Sequence, residues 1–365
     1  MFVTSEPRSP IVALSRVRGM LAAAAVVLLS VSACSTGPAD GSTGGETAAG
    51  SSDAFPVTIE HAFGETVIEE QPERVATVSW VNDDVALSLG VVPVGMPAVE
   101  WGGNDNKSTP WKDAKLEELG APLGSEKAPK LYSEADGIAF DEIAALTPDV
   151  ILAAYSGLTQ EDYDTLSKIA PVVAYPELAY GTDWQDSTMM IGEALGKTEE
   201  AKKLVAETEQ TIDAKASEYP QLAGKSFIYG NLEPAKGDGV NVYTMNDNRP
   251  KFLTSIGMKQ ADVVTEGTSD SGEFFIPWSA EKANELESDI FVTWVPDAKT
   301  KQQVIEDPLL SQIPAVENDA LVADSDNTLT LSISAASPLS LPWALDEFLP
   351  MLGEAADAAE AANAK

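Results

Sequence analysis

This sequence predicts an α/β fold of two lobes, each built on a parallel sheet and joined to the other by one long α-helix. Three observations predict it. Short β-branched runs alternate with amphipathic segments from Phe55 to Leu352, the alternation occurs twice, and a single unbroken helical stretch separates the two occurrences. Alternating strand and helix signals are the pattern of parallel βαβ wiring.

The chain opens on a segment unlike the rest. Arg8, Arg16 and Arg18 precede an apolar run from Leu21 to Val31, which ends in Val31-Ser32-Ala33-Cys34. That is the layout of a secretory signal, and the run falls short of the roughly 20 apolar residues that span a bilayer. Residues 1–33 are therefore expected to be a signal peptide. An ordinary small-residue cleavage site would leave an unpaired thiol. Val31, Ser32 and Ala33 before Cys34 also resemble the lipobox of bacterial lipoproteins, which implies cleavage before Cys34 and diacylation of its sulfur. Cys34 is the only cysteine, so no disulfide supports the fold and an apolar core must.

Residues 34–54 are almost entirely Ser, Thr, Gly, Ala and acid, the composition of a flexible tether. A first lobe is expected over 55–196, with strands at Arg74 to Ser79, Val91 to Met96, Val150 to Ala154 and Val172 to Tyr175. Helices are expected near Asn82 to Leu89, Phe140 to Leu146 and Glu161 to Ile169. The connecting helix is expected over 197–220. Ala201, Leu204, Val205, Thr208, Ile212 and Ala216 keep helical spacing there, Thr198 is its expected N-cap and Pro220 its terminator. A second lobe over 221–353 repeats the pattern, with strands at Ser226 to Asn231, Asn241 to Met245, Asp289 to Trp294 and Ala320 to Ala323. Its helices are expected near Pro250 to Ile256, Glu281 to Glu287 and Leu341 to Leu352, and residues 354–365 read as a tail, either a helical fringe or disordered.

The formal net charge is −35, and loss of residues 1–33 removes three arginines and one glutamate to leave −37. Such a surface repels nucleic acid and anionic headgroups, so membrane attachment must come from an anchor. Enzyme chemistry lacks its parts: there is one histidine, His61, expected at the surface, no GxSxG elbow and no GxxxxGK[ST] loop. A protein-bound transition metal would need His, Tyr or carboxylate clusters that the sequence does not offer.

Eight stretches then carry a resemblance: PERVATVSWVNDDVALSLGVVPVGM (72–96), FDEIAALTPDVILAAYSG (140–157), YDTLSKIAPVVAY (163–175), IGEALGKTEEAKKL (191–204), FLTSIGM (252–258), LESDIFVT (286–293), DPLLSQIPAVENDALVAD (307–324) and SPLSLPWALDEFLPML (337–352). In order and spacing they resemble the periplasmic-type binding proteins for ferric siderophores and cobalamin. The resemblance implies the helical-backbone periplasmic-binding-protein fold and a shallow cleft with little closure. The implied function is the solute-binding component of an ABC importer, a monomer that hands a ferric siderophore to permease subunits driven by a cytoplasmic ATPase. It also implies no intrinsic cofactor and, with the lipobox, a lipid-anchored position on the outer face of the cytoplasmic membrane of an actinobacterial or other Gram-positive cell. Cobalamin, haem or ferric citrate on the same fold, or a lipid-anchored hydrolase, are the alternatives.

Ligands of open α/β sheets sit beyond the carboxyl ends of the strands. Trp80, Tyr155 and Trp294 stand at such ends, and Trp101, Trp111, Tyr180, Tyr243 and Trp278 cluster in segments rich in Gly, Asn and Pro. Flat rings with O–H or N–H groups suit a bulky chelate with an apolar rim and an oxygen shell. By resemblance, Arg249 would meet that oxygen shell. Likewise Asp141 or Glu142 on the first lobe and Glu281 on the second would dock onto permease arginines.

Overall fold

The computed structural model describes residues 54–234, 239–266 and 272–364, so Cys34 and the segments read as signal and tether up to residue 53 lie outside the described residues. Residues 50–365 form one compact unit, within which two sheets each organise a lobe.

The first lobe begins with an antiparallel hairpin, β1 (Val57–His61) and β2 (Gly64–Ile68). There follow β3 (Val75–Thr77), α1 (Asn82–Ser88), β4 (Gly95–Pro97), α2 (Pro110–Glu118) and β5 (Lys130–Tyr132). Next come α3 (Phe140–Ala145), β6 (Val150–Ala153), α4 (Gln160–Leu166), β7 (Val172–Ala174) and α5 (Trp184–Ala194). The sheet has the order β5-β4-β3-β6-β7 and is parallel throughout. Helices cover both faces of such a sheet, which is why Val150, Ile151, Leu152 and Ala153 are all buried and read as a continuous apolar run. Gly95 is required in β4, because a Cβ there would fall 2.8 Å from the Tyr132 ring.

His61 is not at the surface as expected but 7 % exposed in the hairpin. Its Nε2 lies 2.9 Å from the Thr66 hydroxyl and its ring 5.1 Å from that of Tyr163. Burial pushes its pKa below the usual imidazole value.

The lobes are bridged by α6 (Thr198–Ala216), 19 residues or about 28 Å at 1.5 Å per residue. Its N-cap residue is Lys197 rather than the expected Thr198, and Pro220 opens a separate 3-10 turn, Pro220–Leu222. One helix serves two cores: Ala201 belongs to the apolar cluster under β6 and β7, Ile212 to that of the second lobe.

The second lobe contains β8 (Ser226–Glu233), β9 (Gly239–Tyr243), α7 (Asn248–Ser255), β10 (Lys259–Gln260), α8 (Asp262–Thr265) and β11 (Phe275–Trp278). It continues through a 3-10 segment, Ala280–Glu285, to β12 (Ile290–Trp294), α9 (Ala298–Glu306), α10 (Pro314–Glu317), β13 (Leu321–Asp324), α11 (Asn327–Ser334) and α12 (Ser340–Asn363). The strand order β11-β9-β8-β12-β13 repeats that of the first lobe, with β10 added beside β8. This sheet is mixed rather than wholly parallel as expected, since β9 runs antiparallel to both β8 and β11. The reason is length: the residues between Glu233 and Gly239 allow a hairpin, whereas a parallel crossover needs a dozen or more. Of the two forms expected for the last stretch, the helical one is found: it is the end of α12, and it is packed rather than fringing, with Ala355, Ala356 and Ala359 buried. Among the described residues no helix is long and apolar enough to cross a membrane.

A buried charge network fastens α1 to α2 and to the second lobe. Lys112 Nζ lies 2.6 Å from Asp83 Oδ2 and 3.5 Å from Asp84 Oδ1, while Asp84 Oδ2 accepts from Trp111 Nε1 at 2.9 Å and from Ser337 Oγ at 2.6 Å. Burial pushes Asp84 up to about 6 against the pull of Lys112. Removing one member of a buried ion pair strands the other, at about 3–5 kcal/mol. Lys112→Met should therefore lower the urea midpoint by that equivalent, and an unchanged midpoint would mean that the pair does not fasten α2 to α1.

Candidate functional site

Two hollows lie on the seam between the lobes, and another lies in the first lobe beside one of them. One of about 180 Å³ is bordered by Trp80, Trp101 and Glu134 on the first lobe and by Leu331 and Ala335 on the second. A second, about 190 Å³, shares Ser79 and Glu134 with it and extends to Gly157 and Tyr180. A third, about 240 Å³, lies between Asp183 and Gln185 of the first lobe and Asn248, Lys251 and Leu341 of the second.

The first wall is built where β3 ends. Ser79 and Val81 both have φ 61°, a left-handed conformation that a β-branched residue such as Val81 seldom takes. Neighbours enforce it. The Asn82 side chain, 0 % exposed, donates to the carbonyls of Val78 at 2.8 Å, Trp80 at 3.0 Å and Tyr155 at 2.9 Å, and accepts from Tyr155 N at 3.1 Å. Glu134 Oε2 accepts from Ser79 N at 2.9 Å. The turn so held pushes the Trp80 ring outward, 53 % exposed, with its centroid 5.9 Å from that of Tyr180. Tyr180, also in the left-handed region at φ 58°, packs edge-on against Tyr155 at 5.9 Å.

Trp101, 45 % exposed, meets Trp294 of the second lobe edge to face at 6.0 Å, and Trp294 Nε1 is anchored on Asn327 Oδ1 at 2.9 Å. Gly102, at φ 73°, lets this loop reach α11: a Cβ would fall 2.7 Å from the Asn327 carbonyl, and Thr328 Oγ1 donates to the Gly102 carbonyl at 2.8 Å. Tyr155 reaches across the seam too, its hydroxyl accepting from Asn248 Nδ2 at 3.1 Å.

On the second lobe Arg249 stands at the start of α7, next to Asn248. Its guanidinium lies 3.6 Å above the Tyr243 ring and 5.7 Å from the Tyr229 ring centroid, and it donates Nε and Nη2 to the two oxygens of Asp247 at 2.7 and 2.6 Å. Burial works against its charge, but the Asp247 bonds outweigh it and hold the guanidinium above its usual pKa. Glu134 moves in the same direction for another reason: burial, aided by nearby Asp83, pushes its carboxyl up to about 7.

The structure thus brings Trp80, Trp101, Tyr155, Tyr180 and Trp294 to one seam, with Tyr243 and Arg249 on the second lobe. Trp111 is placed differently. It is 7 % exposed at the cavity floor, its N–H committed to Asp84 and its ring 5.2 Å from Trp343. Trp278 packs on the core of the second lobe and donates to the Lys282 carbonyl at 3.0 Å.

Asp141 and Glu142 are exposed in the first turn of α3, with Glu142 2.9 Å from Lys130 Nζ, and Glu281 is exposed in the first turn of the 3-10 segment. These segments are counterparts, since α3 precedes β6 and the 3-10 segment precedes β12 in sheets of the same strand order. Among the described residues no group of three or more His, Cys, Asp or Glu is placed to hold a metal ion.

Sequence reasoning missed Asn82, Asp84, Glu134 and Asn248. A signal for the first two was present in three consecutive polar residues, Asn82-Asp83-Asp84, directly after a predicted strand, where capping and local backbone bonding are common. Asn82→Ala would leave buried carbonyls and the Tyr155 N–H without partners. It should cost at least about 2 kcal/mol, measured by urea unfolding, and wild-type stability would show that the Trp80 turn is held by other bonds.

A family model described as periplasmic binding protein matches residues 75–328. The fold is similar to that of PiaA of Streptococcus pneumoniae TIGR4 in complex with ferrichrome, at 37 % identity and a TM-score of 0.76, covering 82 % of this chain and 99 % of that one. PiaA is described as an iron uptake ABC transporter substrate-binding protein. SirA of Staphylococcus aureus complexed with staphyloferrin B is similar at 25 % identity and a TM-score of 0.64, covering 81 % and 98 %. The Fe(3+)-citrate-binding protein YfmC of Bacillus subtilis is 25 % identical over 276 residues, 73 % of this chain and 78 % of that protein.

Proposed function

This chain belongs to the periplasmic binding protein family, and from that premise we propose that it is the extracellular solute-binding component of an ABC importer that captures a ferric siderophore between its lobes. One observation carries the reading: an aromatic seam with Trp80 and Trp101 about half exposed runs between the lobes, and Arg249, oriented by Asp247 and Tyr243, stands on the second lobe next to Asn248, which bonds to Tyr155 of that seam. Rings supply apolar contact for the organic rim of a chelate, and the free N–H groups of Arg249 donate to its oxygens. Iron then arrives wrapped in its chelator, and the protein contributes no ligand atom to the metal.

Transport fits the reading as well. Capture needs binding and release only, which a cleft without a nucleophile–base pair provides. The acids Asp141 or Glu142 and Glu281, on counterpart segments of the two lobes, would meet arginines of two permease subunits, where charge-assisted bonds fix orientation. Cys34, diacylated, would keep the receptor at the outer face of the membrane.

Adding ferric siderophores to the purified protein should quench tryptophan fluorescence at sub-micromolar concentration. Arg249→Ala should weaken that affinity by about tenfold or more, because a charge-assisted bond to an oxygen shell is worth about 1.5–3 kcal/mol. It also strands the partly buried Asp247 carboxylate and should lower stability, so affinity is read on protein shown by circular dichroism to be folded. Quenching by no ferric chelate would sink the reading.

Reversing Asp141, Glu142 and Glu281 together to lysine should leave affinity intact and abolish iron uptake by cells expressing the variant. Normal uptake would remove these acids from docking.

A further inference from the structure

The known relatives leave the charge class of the ligand open, and the cleft itself speaks to it. The basic residues that the structure places along the seam each meet a carboxylate. Arg249 is held bidentately by Asp247, Lys112 by Asp83 and Asp84, Lys251 by Asp183, and Lys107 by Glu100 at 2.6 Å. Glu134 has no such partner. It borders both hollows that flank the Trp80 turn; one oxygen accepts from Ser79 N, and the other, Oε1, is buried with no hydrogen-bond donor in reach. Asp83, another carboxylate, adds to the upward push on it. The hollow lined by Trp80 and Trp101 therefore carries a carboxyl with no basic partner, negative once pH rises above about 7, beside rings whose π-clouds favour positive charge.

Resting on the receptor reading above, we infer that Glu134 makes this cleft charge-selective: it admits a neutral or cationic ferric chelate, the charge state of a trihydroxamate complex, and turns away anionic catecholate and carboxylate chelates. An anionic complex would have to meet Glu134 without an unpaired lysine or arginine to compensate, and like-charge juxtaposition in a partly desolvated site is costly. A neutral complex loses nothing there. A cationic arm gains a partner for Oε1. Arg249 is compatible with this, because the Asp247 carboxylate neutralises it and leaves it a donor of hydrogen bonds without net attraction for anions.

The test is a fluorescence titration of the full chain at pH 8, where Glu134 is ionised, with four probes: ferrichrome (neutral), ferrioxamine B (cationic), ferric enterobactin and ferric citrate (both anionic). The expected result is binding of the first two at least about 30-fold tighter than of the last two. Added salt should weaken ferrioxamine B and leave ferrichrome unchanged. Glu134→Gln, close to isosteric, should weaken ferrioxamine B about fivefold more than ferrichrome and flatten the salt dependence of ferrioxamine B, a difference that a mere loss of folding or of the Trp80 turn cannot give. Equal or tighter binding of the anionic chelates would overturn charge selection while leaving the receptor reading in place. Response to none of the four would overturn the receptor reading itself. A wild-type charge preference and salt dependence in Glu134→Gln would overturn the assignment to Glu134.

Discussion

Three consecutive polar side chains, Asn82, Asp83 and Asp84, are withdrawn from water at the start of one short helix, and the rest of the molecule is arranged around what each of them finds there. A buried polar group left unpaired costs about 1–3 kcal/mol and a buried charge more, so none of the three tolerates much displacement of its partners. Asn82 ties the end of β3 to the end of β6, which sets the spacing of Trp80 and Tyr155. Asp83 fixes Lys112 and thereby α2. Asp84 reaches Ser337 and so couples the first lobe to the loop before α12. Cleft wall, helix layer and lobe seam are consequences of the same turn.

This arrangement explains how an exposed aromatic surface stays ordered. Trp80 and Tyr180 stand on residues or neighbours in left-handed conformations, which cost energy and persist only where the surroundings over-determine them. Here the surroundings are the Asn82 amide, the Glu134 carboxylate and the edge-on contact of Tyr155. Rigid placement lowers the entropy lost when such rings engage a ligand.

The seam is likewise built to resist opening. Besides Asp84 and Ser337, the lobes share the Tyr155–Asn248 hydrogen bond, the Lys251–Asp183 ion pair and the Trp101–Trp294 contact. Helix α6 adds to them by placing side chains in both cores, with Lys215 also bound to Asp346 of α12 at 2.7 Å. A rotation of one lobe would have to break several of these together.

The sequence by itself determined the elements whose signal is periodic or continuous. Residues 150–153 are apolar without interruption because both faces of β6 are covered, and α6 shows its 3.6-residue stripe because one side stays in solvent. It also showed that aromatics gather at strand ends, and the family resemblance followed from the order of these pieces. Only the tertiary structure decided which tryptophan faces the cleft. Trp80 and Trp111 are the same residue type in similar polar settings, yet one is turned outward by a left-handed pair and the other is drawn inward by Asp84. It decided that His61 is buried, that β9 reverses direction, and that the alanines after Gly353 belong to the core. Glu134 was silent because the meaning of a polar side chain lies in its partners, and its partner Ser79 is 55 residues away along the chain; the polar run at Asn82 signalled local backbone bonding, but its bond to Tyr155, 73 residues on, was legible only in the fold.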